Sequence, residues 1–133
     1  MLEMPVHILK AMIDQARRQA PIEACGILAG RGDHADRLYE MTNADAAEDH
    51  FMLVPQEQFL VTKAMRGEGL EMLAVYHSHP ASPARPSQED VRLALTPGVI
   101  HVILSLAGPE PIIKGFRIGE GEVTEVAVRI VER

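Results

Sequence analysis

Two histidines one residue apart begin the stretch of this chain whose residue types could do chemistry. His77 and His79 are followed at fixed distances by Ser87 and Asp90. Imidazoles and a carboxylate are ligands that zinc prefers, and a catalytic zinc keeps three protein ligands plus a water. An acid far upstream, Glu23, could supply a general base. These residue types predict the hydrolytic zinc site of a metal-dependent peptidase.

The predicted secondary structure would bring the candidate ligands together. The run 71–79 predicts a strand, on which His77 and His79 point to the same face because they are two residues apart. The following loop, residues 80–86, contains three prolines, each with a fixed φ. A stiff loop can return Asp90 to the histidines at a reproducible distance. Asp90 is therefore the natural third ligand.

A simpler interpretation exists for each half of this pattern. Ser87 and Asp90 have the spacing of a capping box, with Ser87 at the N-cap of a helix over residues 87–95. The two histidines could be strand residues that alternate without a function. The capping and metal interpretations are compatible, because a ligand on the first helical turn gains rigidity from the cap. Each half is weak alone, and their combination is much stronger.

Glu23 is the fourth component of the pattern. It begins a predicted strand, residues 22–29, on the same face as Cys25 and Ile27. A carboxylate that extends an apolar face is partly desolvated, and desolvation would raise its pKa toward that of a useful general base. The alternative is a solvated glutamate at a strand end, which is the ordinary state of this residue type.

The rest of the chain predicts a sheet with helices on both sides, in an α/β or α+β arrangement with a mixed central sheet. Apolar residues at helical spacing and turn signals give the element boundaries. In the second helix, Phe59, Leu60 and Ala64 fall on one side, and a polar loop at 43–50 precedes it. The predicted helices are 5–19, 55–66 and 87–95, and the predicted strands are 22–29, 37–42, 71–79, 99–104, 112–118 and 123–131.

Composition limits the classes of protein that this chain could be. Its 133 residues, 47% of them hydrophobic, suit one globular domain over residues 1–133. A net charge of −6 argues against a nucleic-acid partner. One cysteine excludes an internal disulfide and fits a reducing cytoplasm. We expect neither a signal peptide nor a membrane span. A zinc nucleobase deaminase, which needs Pro-Cys-x-x-Cys, is excluded as well.

The combined pattern resembles that of the JAMM (MPN+) metalloprotease family. The family has an upstream glutamate, then His-x-His, seven residues, and Ser-x-x-Asp. Here these positions are Glu23, His77, His79, Ser87 and Asp90. No position departs from the pattern, and the resemblance spans nearly the whole chain. It implies the MPN (JAB1/MPN-like) fold.

The resemblance also implies a role for each residue. His77, His79 and Asp90 would bind zinc, although the same ligands also suit other divalent ions. Glu23 would activate the zinc-bound water and later protonate the leaving amine. The Ser87 hydroxyl would hydrogen-bond the oxyanion of the tetrahedral intermediate. The implied reaction is the hydrolysis of a peptide or isopeptide bond.

A substrate class follows from the kind of family member that this chain resembles. It looks like the bare core of the family, close to short prokaryotic members that act at the Gly-Gly end of ubiquitin-like sulfur carriers. The implied partner is such a carrier, for example one from which cysteine is released. We expect residues 43–51 to form a groove wall and the carrier tail to lie as an added strand near the metal. The alternative is a non-catalytic MPN scaffold that only holds a metal.

The remaining polar candidates have ordinary explanations. Cys25 has apolar neighbours, so we interpret it as a small buried hydrophobe and not as a nucleophile. His101 lies in an apolar run and is typical of a satisfied core histidine. Residues 48–50 could line a substrate groove, but a solvated loop is the simpler interpretation. The histidines expected at the solvated surface are His7, His34 and His50.

Overall fold

A computed structural model gives the arrangement of the chain and describes residues 1–92 and 98–133. Eight strands and three helices lie within these residues. In chain order they are β1 (Leu2–Pro5), α1 (Val6–Gln19), β2 (Cys25–Arg31), β3 (His34–Met41), α2 (Pro55–Gly67), β4 (Glu71–His79), α3 (Gln88–Arg92), β5 (Ile100–Ser105), β6 (Ile112–Gly119), β7 (Glu122–Val126) and β8 (Val128–Val131).

The strands form one mixed sheet in the order β7-β6-β5-β4-β2-β3-β1-β8. β4 lies inside it, antiparallel to β2 and parallel to β5. β7 and β8 are separated by Ala127 alone, yet they pair with β6 and β1 at opposite edges of the sheet. The sheet is therefore nearly closed: a Cβ added at Gly115 in β6 would lie 2.9 Å from the Val128 side chain in β8. The predicted α/β class with a mixed central sheet is confirmed.

The sequence expectations were wrong at the two ends of the chain. The first strand, β1, was not predicted, and Pro5 is its last residue (φ −59°, ψ 142°), so the helix begins one residue later at Val6. The single strand predicted over 123–131 is two strands, because the chain changes its pairing partner at Ala127. Short strands paired with distant segments leave little local pattern to recognise.

Several predicted boundaries also shifted inside the chain. β2 starts at Cys25 and not at residue 22, so Glu23 precedes the strand. β3 starts three residues earlier than predicted, after a two-residue turn in which Gly32 has a φ of +59°. Such turns require positive φ, which glycine adopts at no steric cost. The third helix spans Gln88–Arg92, and residues 93–95 of the predicted helix lie outside the described residues.

The two longer helices cover opposite faces of the sheet, and they do so unequally. α1 buries Ile8, Met12 and Ala16 at helical spacing against the larger apolar cluster. α2 buries Met65 in a second cluster on the other face. Its predicted apolar side is exposed, with Phe59 at 66% and Leu60 at 58% of their full accessibility, so that α2 contacts the sheet through a narrow stripe.

Among the described residues, no helix is long and apolar enough to cross a bilayer.

Candidate metal centre and catalytic pocket

The central strand β4 positions the two histidines. His77 and His79 are its last alternate residues, and both are buried. Their side chains share a face because of the period of two, and their Nε2 atoms lie 3.1 Å apart. β2 and β5 pair with the strand on either side, so its end has little freedom to move. The predicted juxtaposition of the two imidazoles is what the structure shows.

The proline loop orients the second imidazole. His79 Nδ1 donates a hydrogen bond to the Pro83 carbonyl at 2.8 Å, and this bond leaves Nε2 without a proton in the neutral ring. The loop is itself anchored, because the Ser105 hydroxyl at the end of β5 donates to the Ser82 carbonyl at 2.6 Å. A backbone carbonyl thus selects the tautomer that a metal ligand needs.

The first turn of α3 positions the carboxylate. The Ser87 backbone N–H donates to Asp90 Oδ2 at 2.9 Å, and the Asp90 N–H donates to Ser87 Oγ at 3.0 Å. This reciprocal pair is the predicted capping box. The same Oδ2 atom lies 3.2 Å from His77 Nε2 and 3.0 Å from His79 Nε2. The cap therefore holds the carboxylate beside both imidazoles, and the capping and ligand interpretations coexist.

The three converging atoms have the chemistry and spacing of a zinc site. Four ligands at zinc distances of about 2.0–2.1 Å would lie about 3.3 Å from one another in a tetrahedron. The three pairs here are separated by 3.0 to 3.2 Å. Two imidazole nitrogens and a carboxylate oxygen this close, with all three side chains buried, form a donor set that a bound cation would stabilise. His77, His79 and Asp90 therefore fit a divalent metal, and zinc suits this donor set.

The surroundings of two of these groups favour the protonation state that binds a metal. Burial lowers the pKa of His77 and favours the neutral imidazole. Burial alone would raise the pKa of Asp90, but hydrogen bonds with His77 and His79 hold it well below its usual range. Burial lowers the pKa of His79 too, but hydrogen bonds with Asp90 and the Pro83 carbonyl raise it overall, so without a metal this ring favours the protonated form and Nε2 donates to Asp90. A metal ion would thus meet a neutral His77 ring and an ionised carboxylate, and would displace the Nε2 proton of His79.

Glu23 lies opposite this cluster, in the segment that precedes β2. It is 2% exposed, and its Oε1 atom has no hydrogen-bond partner among the described residues. Burial raises the pKa of Glu23 to about 8, near the working pH that an efficient general base requires. The sequence left open whether Glu23 is buried or solvated, and in the structure it is buried. Its carboxylate is therefore largely shielded from solvent.

One cavity connects the base to the metal cluster. It has a volume of about 240 Å³ and lies between the loop before α2 and the proline loop. Glu23, His79 and Ser87 all border it, so the structure brings the candidate base, one candidate ligand and a hydroxyl to one space. Its other lining residues are Glu48, Asp49, Ala81 and Ser82. The sequence interpretation of 48–50 as a solvated loop is thus incomplete, because Glu48 and Asp49 form part of the cavity wall.

Residues that the sequence analysis missed connect the strands of the site. Ser78 lies between the two histidines and points to the opposite face, where its Oγ accepts the Ala24 N–H at 2.8 Å. Its own N–H donates to the Ala24 carbonyl at 2.9 Å. Phe51 stacks on the His77 ring with centroids 4.7 Å apart and planes at 23°. Asn43, assigned to a polar loop, is buried. The one sequence signal that could have identified Ser78 was its position as a polar residue between the two candidate ligands.

The other candidates fit their ordinary explanations. Cys25 is buried, and burial raises its pKa to about 12, so the thiol does not ionise at neutral pH. His101 is a core residue, although its Nε2 atom has no partner among the described residues, unlike the satisfied histidine that was expected. His50 pairs with Asp49 and Asp45, at 2.9 Å each, and these hydrogen bonds raise its pKa.

Solved structures resemble this fold over its full length. A protein structure from Desulfitobacterium hafniense has a TM-score of 0.92 and 41% identity, covering all of this chain and 94% of that one. A JAB1/MPN domain protein from Archaeoglobus fulgidus has a TM-score of 0.68 and 25% identity, with 98% and 97% covered.

The sequence comparisons agree with the fold. A family model described as prokaryotic homologs of the JAB domain matches residues 5–118. The CysO-cysteine peptidase of Mycobacterium tuberculosis is 39% identical over 95% of this chain and 88% of its own length. A probable TtuB-protein conjugate cleaving protease of Thermus thermophilus is 30% identical over 92% and 82%. This chain therefore belongs to the prokaryotic JAB family and is a JAMM-type hydrolase.

Proposed function

We propose that this hydrolase uses zinc to cut the bond that follows the C-terminal Gly-Gly of a ubiquitin-like or sulfur-carrier protein. One observation carries the metal part of the proposal. Three buried ligand atoms, on His77, His79 and Asp90, converge within 3.2 Å beside a cavity that a buried carboxylate also borders. The names of the relatives support the substrate class, since they act on a CysO adduct and on TtuB conjugates.

The metal would supply the electrophile and a nucleophile at neutral pH. When bound, zinc polarises a carbonyl oxygen and lowers the pKa of a bound water to roughly 7. His77, His79 and Asp90 would hold it through Nε2, Nε2 and Oδ2. The hydrogen bond from His79 to Pro83 and the cap at Asp90 keep two of these ligands oriented, as supporting contacts commonly do around metals.

Glu23 would move the protons. Its Oε1 atom, buried and without a described partner, is free to accept a proton from the attacking water and then deliver it to the leaving amine. The raised pKa suits both steps, because a group near neutrality gives up and accepts a proton with similar ease. A carboxylate saturated with hydrogen bonds would be a weaker base.

Ser87 would stabilise the oxyanion. Its Oγ accepts the Asp90 N–H, so the hydroxyl proton remains available to a second acceptor in the cavity. A hydroxyl fixed by the helix cap needs little reorganisation to donate to the charge that develops on the carbonyl oxygen. The residue thus combines a structural role at the start of α3 with a role in the reaction.

The leaving group would be small, and cysteine is the one that we propose. The first relative above is a peptidase of a carrier–cysteine adduct, and it aligns with 95% of this chain. The cavity of about 240 Å³ offers space beside Glu23 for a single residue. A carrier tail would reach this cavity between residues 43–53 and the proline loop. Neither edge strand of the sheet, β7 or β8, carries a site residue, so the tail would pair with these loops instead of extending an edge.

The decisive experiment follows the intact mass of a Gly-Gly-terminated sulfur carrier that bears a C-terminal cysteine. The zinc-loaded protein should remove the cysteine mass, whereas Glu23→Gln should not. Glu125→Gln makes the same exchange at an exposed acid on the edge strand β7, away from the cavity, and should retain activity, which makes it the matched control. If the wild-type protein binds zinc and cleaves neither this adduct nor an isopeptide-linked conjugate, it is a metal-holding scaffold and the proposal fails.

A further inference from the structure

Asn43 is a buried amide at the start of the loop that forms one wall of the cavity. It is 6% exposed. Its Nδ2 group donates to the carbonyls of Glu23 at 3.1 Å and His50 at 3.0 Å, with a longer contact of 3.4 Å to the Ala47 carbonyl. Its Oδ1 atom accepts two backbone N–H groups, those of Asp45 and Met52, each at 3.2 Å. The side chain therefore saturates both ends of its amide with main-chain partners.

These bonds attach the loop to the backbone of the general base. The Glu23 carbonyl is held by Asn43, and the Glu23 N–H donates to the Ala47 carbonyl at 2.9 Å. Both polar groups of the Glu23 main chain are thus hydrogen-bonded to residues of the loop. Because the Oε1 atom of its carboxylate has no partner among the described residues, the position of that carboxylate depends on the main chain and on packing.

The same loop also reaches the metal cluster. Met52 N–H donates to Asn43, the Ala44 N–H donates to the Met52 carbonyl at 2.8 Å, and Asn43 forms an isolated bridge with Leu53. Phe51, next to Met52, stacks on the ring of His77. One side chain therefore sets the path of a segment that touches the base at one end and a metal ligand at the other.

We propose that Asn43 is a positioning residue, which fixes the Glu23 carboxylate relative to the metal ligands by holding Glu23 and residues 43–53 as one rigid unit. The inference rests on the proposed role of Glu23 as the base. Only a carboxamide of this length offers two N–H donors and an oxygen acceptor at once. A carboxylate would keep the acceptor and leave the Glu23 and His50 carbonyls without donors.

The test compares two carboxamide-to-carboxylate exchanges. Asn43→Asp is isosteric and removes the donors. Gln15→Glu is the matched control: Gln15 is a buried amide on α1 that donates to the Cys25 carbonyl at 2.9 Å and accepts the Tyr76 hydroxyl. Asn43→Ala and Gln15→Ala form a second pair, for use if the carboxylates prevent folding. The readouts are kcat and KM on the carrier adduct, zinc affinity, and amide hydrogen exchange.

We expect Asn43→Asp to lower kcat about 100-fold, as an ångström-scale misplacement does, with KM and zinc affinity changed less than about threefold. Exchange should accelerate at the amides of Glu23, Asp45 and Met52 and remain slow in β4 and β5. Gln15→Glu should lose comparable thermal stability while keeping kcat. An equal loss of kcat in both variants, or a loss that follows zinc affinity, would reduce Asn43 to a structural residue and overturn the inference.

If the proposed function is wrong, the same experiment gives a result that differs from failure of the Asn43 inference. If the wild-type protein cleaves no conjugate, the kinetic comparison disappears, but hydrogen exchange still decides whether Asn43 couples the loop to Glu23. Faster exchange at the Glu23 amide in Asn43→Asp but not in Gln15→Glu supports the coupling. Unchanged exchange at that amide overturns it, whatever the protein hydrolyses.

Discussion

The candidate site has two halves, a ligand half with the three candidate metal ligands and a base half with the proposed base Glu23, and they are built in different ways. The ligands come from residues 77–90, one continuous segment that contains the end of β4, the proline loop and the first turn of α3. The base half combines the segment before β2 with the loop before α2. The contacts between Asp90, Ser87 and His79 are satisfied within the first segment. Glu23 keeps a buried oxygen without a described partner.

Because of this difference in hydrogen bonding, the ligand half contributes to the stability of the fold, whereas the base half contributes to reactivity. Hydrogen bonds that hold His79 and Asp90 stabilise the folded chain and also orient two of the three candidate ligands. The buried carboxylate opposes folding when it is charged, and the same desolvation makes it a useful base. A protein commonly loses stability at the groups that do its chemistry. The predictions below test whether the two halves can be separated, beginning with the largest expected effect.

The ligand half should fail completely when one ligand is removed. Asp90→Ala removes the carboxylate that contacts both imidazoles, so we expect zinc content to fall and kcat/KM to drop at least about 1,000-fold. Metal analysis and hydrolysis of the carrier adduct measure both effects. Glu89→Gln, which changes the neighbouring acid paired with Arg92, should leave both quantities unchanged. Full zinc occupancy in Asp90→Ala would show that another residue supplies the ligand.

The base half should lose chemistry without losing metal. Glu23→Gln keeps the shape of the side chain and removes its basicity, so kcat should fall roughly 100- to 10,000-fold. Zinc content and affinity should remain those of the wild type, because Glu23 is not one of the three converging ligands. If the variant instead lost zinc in proportion to activity, Glu23 would be needed for metal binding, and the two halves could not be separated.

The same variant should make the metal-free protein more stable at high pH. The folded-state pKa of Glu23 is raised from 4.5 to about 8, so the native state binds the proton more tightly than the unfolded state does. The stability that this group contributes is present below pH 4.5 and is lost as the pH rises toward 8. In chelator we expect Glu23→Gln to melt ~5 °C higher than the wild type at pH 9, and the difference to vanish near pH 4. Equal melting temperatures at pH 9 would mean that Glu23 is solvated.

Ser87 lies in the ligand half but has two proposed roles, as a helix cap and as an oxyanion donor, and one substitution should show both contributions. Ser87→Ala removes the cap on the Asp90 N–H, which should cost about 1 kcal/mol of unfolding free energy. It also removes the oxyanion donor, so kcat should fall about 100-fold with KM little changed. Chemical denaturation and steady-state kinetics separate the two. A loss of stability with unchanged kcat would leave Ser87 as a helix cap only.

Ser78 should give the smallest effect on activity. Ser78→Ala leaves the buried Ala24 N–H without its acceptor, at a cost of about 1–3 kcal/mol. Because the Ser78 backbone still pairs with Ala24, the register of the strands survives, and we expect kcat to fall less than about tenfold. Ser78→Thr keeps the hydroxyl and serves as the control for its loss. A fall as large as that of Glu23→Gln would show that the side chain, and not the backbone pairing, aligns the halves.

With the exception of Glu23, sequence patterns predicted the contacts that are local and missed those that are distant. The histidines, the proline loop and the capping box lie within one short stretch, so their spacing alone indicated that they meet, and the structure places them together. The contacts of Asn43 with Glu23 and of Phe51 with His77 join segments 20 or more residues apart. No periodicity reports such contacts. β1 and β8 were missed or merged for the same reason, because their pairing partners are remote in sequence.

The pairing of β1 with β8 constrains how the chain can fold during synthesis. Leu2 lies opposite Val128, and the Leu2 N–H donates to the Ala127 carbonyl at 2.9 Å. Synthesis proceeds from the N-terminus, so Leu2 in the first strand cannot complete its pairing until β8, the last strand that the structure describes, has been made. Until β8 leaves the ribosome, β1 has an open side, and the sheet cannot close around its core. The candidate ligands at residues 77–90 all precede β8 in the chain, so a partly synthesised protein can contain its complete set of metal ligands while the sheet is still open.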